Sequence, residues 1–176
     1  HYRPRKSWSR KRRVIGKAIM TVLKGDVMPN AAGVQQLCAG QKAGIEAAVH
    51  AIRQAFEAES SDGLLLVDAD NAFNRLPRRV ALHNVRIVCP PLATILTNWY
   101  RAPARLFVSG GWELSSEEGT TQGCPLAMVM YAIALMPLLD KLRPEALGIK
   151  FTQAWYADDA ANAARLQALR IWWDTL

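Results

Sequence analysis

The stretch AWYADDAANAA, residues 154–164, places two adjacent aspartates, Asp158 and Asp159, in a run that is otherwise almost wholly apolar and looks buried. Ionised carboxylates are costly to bury unless something compensates their charge. Two abutting carboxylates also raise each other's pKa unless a cation neutralises both. A bound divalent metal is the simplest compensating partner, so the pair predicts further metal ligands elsewhere in the chain.

A third acid stands at the end of another apolar run. The turn residues ESSDG (59–63) lead into LLLVDAD, whose length and flanking turn signals favour a buried strand that ends at Asp68. Carboxylates from two neighbouring strand ends can share a pair of magnesium ions, which are usually held by one or two carboxylates together with substrate phosphates. The sequence therefore predicts a metal site made by Asp68, Asp158 and Asp159.

The remaining patterns predict an α+β fold. Helical spacing of apolar residues predicts a first helix ending near Gly25 and a second helix through Ile52. A proline-started helix follows at PPLATILTNWY, then a hairpin joined at Gly110-Gly111, an apolar helix opened by Pro125, a hairpin with its turn at Asp158-Asp159, and a last helix. Elements segregated in this way favour an antiparallel sheet packed on helices.

Composition excludes some classes of protein. The longest apolar run, residues 126–139, contains Pro137 and is too short to cross a bilayer. The basic N-terminus lacks the apolar segment of a secretory signal, and three scattered cysteines are typical of reduced thiols. These features predict an intracellular protein, cytoplasmic or nuclear, that is not secreted and has no membrane partner.

The positive charge is concentrated at one end. Residues 1–17 contain eight basic residues and no acid, and since the whole chain carries a net charge of +7, residues from 18 onward sum to −1. A basic head on a nearly neutral body suits a polyanion such as nucleic acid or a triphosphate. A solvated or localisation-type basic tail is the alternative.

Three segments in this order resemble the A, B and C motifs of reverse transcriptases: VDADNAFN (67–74), EGTTQGCPLA (118–127) and WYADDA (155–160). They look more like the motifs of non-LTR retrotransposon and group II intron enzymes than like those of retroviral enzymes. The upstream segments RRVIGKAIM and CAGQKAGIEAAVHAIRQAF also look like fingers segments of these polymerases. The resemblance implies fingers segments in residues 1–62 and a palm in residues 63–176, of which 77–117 could pack with the fingers.

The resemblance also implies roles for the acids. Asp68 would bridge two Mg²⁺ ions, for which Mn²⁺ could substitute, and the carbonyl of Ala69 is a further candidate ligand. Asp158 would be the firmer ligand of the YADD motif, and Asp159 would lie nearer the primer terminus. The alternative for the pair is a solvent-exposed hairpin tip.

Other motif positions match nucleotide contacts. Phe73 matches an aromatic steric gate against the ribose 2′-hydroxyl, and the N–H groups of Asn71 and Ala72 could meet triphosphate oxygens. Gln122 and Gly123 match the motif that positions the incoming nucleotide, and glycine would let nucleic acid approach closely.

Basic and aromatic residues are less specific signals. Arg13 is a candidate contact to the triphosphate, and Arg12 and Lys17 to template phosphates, although a basic helix start can simply be solvated. Trp155, Trp172 and Trp173 could stack on bases, but packing in the core or between elements is the stronger interpretation.

The implied reaction is RNA-directed DNA synthesis, a nucleotidyl transfer with an RNA template, a DNA primer and a dNTP. Two departures from the family stand out: Arg3-Pro4 is followed by a polar, basic segment, and no thumb counterpart follows the YADD helix. The fragment alone is therefore expected to be weakly active or inactive. The alternatives are a non-catalytic remnant that binds nucleic acid, an RNA-dependent RNA polymerase, and a plain basic nucleic-acid-binding module.

Overall fold

A computed structural model describes residues 10–32, 36–38, 42–108, 110–121 and 123–176. These residues form helices and antiparallel strands, which confirms the predicted α+β class. The elements in chain order are α1 (Arg10–Ala32), α2 (Gly44–Glu57), β1 (Gly63–Asp68), α3 (Ala72–Arg75), α4 (Arg78–Val88), α5 (Pro90–Tyr100), β2 (Ala104–Val108), β3 (Trp112–Ser116), α6 (Ala127–Lys141), α7 (Pro144–Leu147), β4 (Thr152–Tyr156), β5 (Asp159–Ala164) and α8 (Leu166–Thr175).

The chain divides into two compact units. Unit 1 contains the described residues up to 30 together with 71–134, and unit 2 contains those of 31–70 together with 135–176. The predicted boundary between fingers and palm at residues 62–63 is a functional one and stays a prediction.

Unit 2 is built on a three-stranded antiparallel sheet with the strand order β1-β5-β4. One face of this sheet packs on a core that includes Trp155 and Trp172, whose rings lie 6.0 Å apart, and the C-terminal part of α6. Both indole N–H groups donate to Oε1 of Gln153, at 3.2 and 2.8 Å. The predicted packing of these two tryptophans in the core is confirmed, whereas Trp173 is 52% exposed and is not a core residue.

The predicted strand at residues 63–68 is present, but it is only half-buried. Its residues alternate between partly buried and exposed, with Leu64, Leu66 and Asp68 on the exposed face. The physical reason is that on this face of the sheet α2 packs on β4 and β5, whereas Leu64 and Leu66 of β1 line an open groove beside the helix. An apolar run of leucines therefore does not prove burial on both sides.

Unit 1 contains α3, α4, α5, the β2–β3 hairpin and the first part of α6. The proline-started helix and the hairpin at Gly110-Gly111 are confirmed. The apolar helix is also present, but it begins at Ala127 rather than at Pro125. A Cβ built on Gly16 of α1 would come 3.1 Å from Pro125, so the two segments pack closely.

A buried arginine fixes the loop that precedes α6. The Arg78 guanidinium donates from Nε to the Gly119 carbonyl at 2.7 Å, from Nη1 to the Ser116 carbonyl at 2.8 Å, and from Nη2 to Ser116 Oγ at 3.1 Å. The N–H of Gly119 donates to the Leu76 carbonyl at 2.9 Å. These bonds hold residues 116–120 against the segment that joins α3 to α4.

The first helix is longer than predicted. It runs to Ala32, through Gly25 and Pro29, whereas the prediction ended it near Gly25 and began a loop at Met28. A glycine inside a helix costs only about 1 kcal/mol relative to alanine, too little to end a long helix by itself. No helix of the described residues is long and apolar enough to span a membrane.

Candidate active site

Strand register brings two of the predicted acids together in unit 2. Asp68, the last residue of β1, is the direct cross-strand partner of Asp159, the first residue of β5. Directly opposed residues of antiparallel strands carry their side chains on the same face with Cβ atoms about 5 Å apart. Asp158 is the last residue of the turn before β5, so the three acids lie at the same end of the sheet.

The electrostatics of the three acids show their proximity. The pKa of Asp159 is raised, first by partial desolvation and then by the negative charges of Asp158 and Asp68. The expected burial of the aspartate pair was wrong, because Asp159 is exposed and Asp158 is half-buried. The charges of Asp158 and Asp68 add to the effect of desolvation on Asp159, and a bound cation would offset these like charges.

The described residues do not contain a ready-made metal cluster. Within them, no three His, Cys, Asp or Glu side chains lie close enough together to hold an ion. A magnesium site needs fewer protein ligands than a zinc site, since Mg²⁺ keeps several waters and takes substrate phosphates. The carboxylate oxygens at this end of the sheet are therefore chemically suitable ligands for Mg²⁺. Ala69, the predicted carbonyl ligand, directly follows β1 and is exposed.

The turn that carries Asp158 has an unusual backbone. Ala157, the first of its two residues, has φ 58°, in the left-handed region that disfavours residues with a Cβ. Its N–H donates to Gln36 Oε1 at 2.8 Å, and its carbonyl accepts from Gln36 Nε2 at 3.1 Å. Sequence reasoning missed Gln36, because a contact across 121 residues leaves no signal in local periodicity.

Cys38 lies beside the same turn. Burial is the main cause that raises its thiol pKa to about 11, and the negative charge of Asp158 adds to the effect. The thiol therefore stays protonated near neutral pH and is no nucleophile there. No disulfide links the three cysteines of the chain, all of which lie among the described residues.

An apolar groove borders two of the acids. It has a volume of about 570 Å³ and lies between α2 and the sheet of unit 2, with Asp68 and Asp159 in its lining. The predicted apolar face of α2 is present, but Ile45, Val49 and Phe56 on it are exposed and line this groove.

The predicted gate residue lies in unit 1. The half-buried ring of Phe73 stacks on Tyr131, with ring centroids 4.5 Å apart and an interplanar angle of 28°. Its carbonyl accepts from the Thr120 N–H at 2.6 Å, so backbone and ring are both held. Asn71 and Ala72 open α3, whose hydrogen bonding begins at the Asn74 N–H, which donates to Asn71.

Arg13 and Gly123 come together in unit 1. Gly123 has φ 79°, and a Cβ built on it would come 3.0 Å from Arg13 Nη2 and 3.4 Å from Cζ. Any side chain at position 123 would therefore be strained and would crowd the guanidinium. This contact joins two residues that the sequence motifs suggested separately for nucleotide binding.

The other basic candidates are only partly within the structure. Lys17 is exposed on α1, one helical turn from Arg13 and so on the same face, and Arg12 is also exposed. Gln122 and the basic residues 1–9 lie outside the described residues.

Mixed helices, an antiparallel sheet and acids gathered at its end define a palm-like polymerase fragment. The sequence profile described as "Reverse transcriptase (RNA-dependent DNA polymerase)" matches residues 1–167, and the chain therefore belongs to the reverse transcriptase family. No curated protein matches the chain.

Membership of the family sets the general chemistry. Reverse transcriptases are RNA-directed DNA polymerases, enzymes of the nucleotidyltransferase type. They generally use Mg²⁺ and bind an RNA template, a primer and dNTPs.

Proposed function

We propose that this chain carries the active site of an RNA-directed DNA polymerase, with Asp68, Asp158 and Asp159 as its catalytic acids. The observation that carries the proposal is the cross-strand pair Asp68–Asp159, with Asp158 beside it in the turn. The pKa of Asp159 is raised first by desolvation and then by the charges of Asp158 and Asp68, which agrees with this arrangement.

The same three residues would hold magnesium, with the Ala69 carbonyl as a further ligand. When bound, magnesium ions activate the attacking hydroxyl and stabilise the leaving oxygen of phosphoryl transfer. The protein's own contribution is to fix the carboxylates on two hydrogen-bonded strands, so that little reorganisation accompanies the reaction. Mn²⁺ prefers the same oxygen ligands and could substitute.

Residues of unit 1 would bind the nucleotide. The Arg13 guanidinium and the exposed backbone at Gly123 offer charge and close approach for the triphosphate, together with Gln122 and the N–H groups of Asn71 and Ala72. Phe73 would exclude the ribose 2′-hydroxyl, and its stack on Tyr131 supports this role because a gate must not rotate away.

Template and primer would meet the basic face of α1. Arg12 and Lys17, both exposed on α1, would contact phosphates, and such contacts position nucleic acid without reading its sequence. The VDADNAFN, EGTTQGCPLA and WYADDA motifs favour a retroelement enzyme of the non-LTR retrotransposon or group II intron type. We propose that it acts inside the cell, in the cytoplasm or nucleus, where cysteines stay reduced.

A primer-extension assay tests the proposal, with a DNA primer on an RNA template, dNTPs and Mg²⁺. Asp158→Asn should abolish extension, whereas Asp140→Asn should not, because Asp140 is an exposed acid of α6 that pairs with Arg143 at 2.6 Å. Phe73→Ala should raise incorporation of rNTPs relative to dNTPs. Preferred use of rNTPs by the wild type would instead identify an RNA-dependent RNA polymerase.

A non-catalytic chain that binds nucleic acid is the second candidate. It is favoured by the observation that the described acids do not form a ready-made metal cluster. It predicts no metal-dependent difference between the wild type and Asp158→Asn in the same assay. A plain basic binding module predicts more: affinity that survives loss of all three aspartates, falls when residues 1–17 are removed, and declines steeply with salt.

A further inference from the structure

The turn between β4 and β5 depends on a backbone conformation that alanine does not favour. Ala157 has a positive φ of 58°, where the Cβ of an L residue is crowded by its own backbone. Asp158 is the next residue, and Asp159 begins β5. The φ and ψ of Ala157 therefore set the direction in which both carboxylates leave the turn.

Gln36 holds this residue at both of its backbone groups. The Ala157 N–H donates to Oε1 at 2.8 Å, and Nε2 donates to the Ala157 carbonyl at 3.1 Å. A planar carboxamide that bonds the N–H and the carbonyl of one residue constrains the φ and ψ between them. Gln36 has no exposed surface, so water does not compete for these bonds.

The backbone beside Gln36 is anchored on the sheet. The Leu37 N–H donates to the Trp155 carbonyl at 2.8 Å, and Gln36 forms a parallel bridge to Trp155. Trp155 is itself 3% exposed in the core of unit 2. The carboxamide is therefore presented from a fixed backbone and not from a mobile loop tip.

We infer that Gln36 is a positioning residue for the catalytic acids: it locks Ala157 at positive φ and thereby aims Asp158 and Asp159. This inference rests on the proposed function of those acids. Gln36 is not a substrate contact, because its side chain is buried and both ends of its amide are engaged with Ala157. Its effect passes through the backbone of the turn.

Binding of Mn²⁺ tests the inference without relying on activity. The free ion is measured by its electron paramagnetic resonance signal as wild-type protein and variants are titrated. Gln36→Met keeps the side-chain length but removes both hydrogen bonds, and it should weaken Mn²⁺ binding about 10-fold, the scale seen when groups that orient metal ligands are lost.

A second variant separates aiming from general support of the fold. Glycine adopts positive φ without a Cβ penalty, so in an Ala157→Gly background the Gln36→Met substitution should weaken binding by only about 3-fold. Equal losses in the two backgrounds would show that Gln36 does not act through the conformation of Ala157 and would overturn the inference.

Gln153→Met is the matched control within unit 2. It removes a glutamine that donates to the Leu142 carbonyl at 2.8 Å and accepts from Trp172, and it leaves the turn untouched. It should lower the thermal midpoint in EDTA and leave Mn²⁺ affinity unchanged. If it weakens Mn²⁺ binding as much as Gln36→Met, the inference is wrong.

The proposed metal site and the role of Gln36 are tested separately by these variants. If Asp158→Asn weakens Mn²⁺ binding and Gln36→Met does not, the inference is overturned and the proposed metal site stands. If Asp158→Asn binds like the wild type, the proposed site fails and the inference falls with it. Should Gln36→Met lack a cooperative thermal transition, Gln36→Asn replaces it, since its carboxamide is one methylene too short to reach Ala157, and the same losses are expected.

Discussion

Gly119 offers a test of how the loop before α6 is held. It has φ 71°, and a Cβ built on it would come within 2.5 Å of Asn74 Cα, and closer still to the carbonyl of that residue. Backbone atoms cannot yield as a flexible side chain can. Gly119→Ala should therefore displace the loop from the segment after α3.

The expected loss of stability follows from the contacts that the displacement breaks. They are the bonds from the Gly119 N–H to Leu76 at 2.9 Å, from the Thr120 N–H to Phe73 at 2.6 Å, and from Arg78 Nε to the Gly119 carbonyl at 2.7 Å. With about 1 kcal/mol for each of the two neutral bonds, about 2 for the charged one and about 1.5 for alanine at positive φ, the total is about 5.5 kcal/mol.

Gly111→Ala is the matched control in the same unit. Gly111 has φ 84°, but a Cβ there would meet nothing within 4 Å. It should lose only the conformational part, about 1.5 kcal/mol. Urea denaturation followed by far-UV circular dichroism measures both variants. Equal losses would refute the reasoning, because the close contact with Asn74 would then contribute nothing.

Three further predictions concern the stability of the folded chain. The pKa of Asp159 is raised in the folded chain, so its contribution to stability is present below its unfolded pKa of about 3.9 and is lost as pH rises through the folded value. In EDTA, Asp159→Asn should therefore raise the melting temperature at pH 7 more than at pH 3.5. Asp62→Asn removes a carboxyl with a lowered pKa and should reduce the melting temperature at pH 7. Shifts of the same sign for the two variants at pH 7 would contradict this reasoning. The Asn162 side chain is buried, and in the described part of the chain its amide has no hydrogen-bond partner, so Asn162→Leu should raise the free energy of unfolding by about 1 kcal/mol. Asn84→Leu removes a hydrogen bond to the Ala134 carbonyl at 3.2 Å and should lower the free energy of unfolding. If both variants were less stable than the wild type, Asn162 would not be an unsatisfied buried amide. Arg78→Lys cannot reproduce three fixed donors and should cost about 3 kcal/mol in urea denaturation; a change below about 1 would show that the bonds are redundant.

The sequence predicted best those elements that show a local apolar pattern with turn residues at both ends. Apolar runs bounded by turn residues located β1 and β5. The resemblance of these segments to reverse transcriptase motifs predicted that Asp68 and Asp159 belong to one site before the strand register was known. Three of the helices that the structure describes were missed. Two of them, α3 and α7, have four residues each, too few to show a helical period. The third, α4, has 11 residues, but its buried face includes the polar residues Arg78 and Asn84, which interrupt the apolar pattern.

Burial and long-range contacts could not be predicted in the same way. Whether Asp159 is buried depends on what covers its face of the sheet, and the sequence of β5 does not contain that information. The partner of Ala157 is Gln36, far away in the chain, and nothing in the sequence around Gln36, which follows another glutamine, predicts what it will bond. Such pairings belong to the tertiary fold.

The opposition of Asp68 and Asp159 has a consequence for how such a chain can vary. The spacing between the two carboxylates is set by hydrogen-bonded register, so the length of the chain between them does not enter it. Insertions and deletions in the intervening loops should leave the pair intact, whereas a slip of one residue between β1 and β5 would send the two side chains to opposite faces. Whether the two carboxylates stay on one face after a change in chain length therefore depends on the pairing register of β1 and β5, and not on the length of the loops.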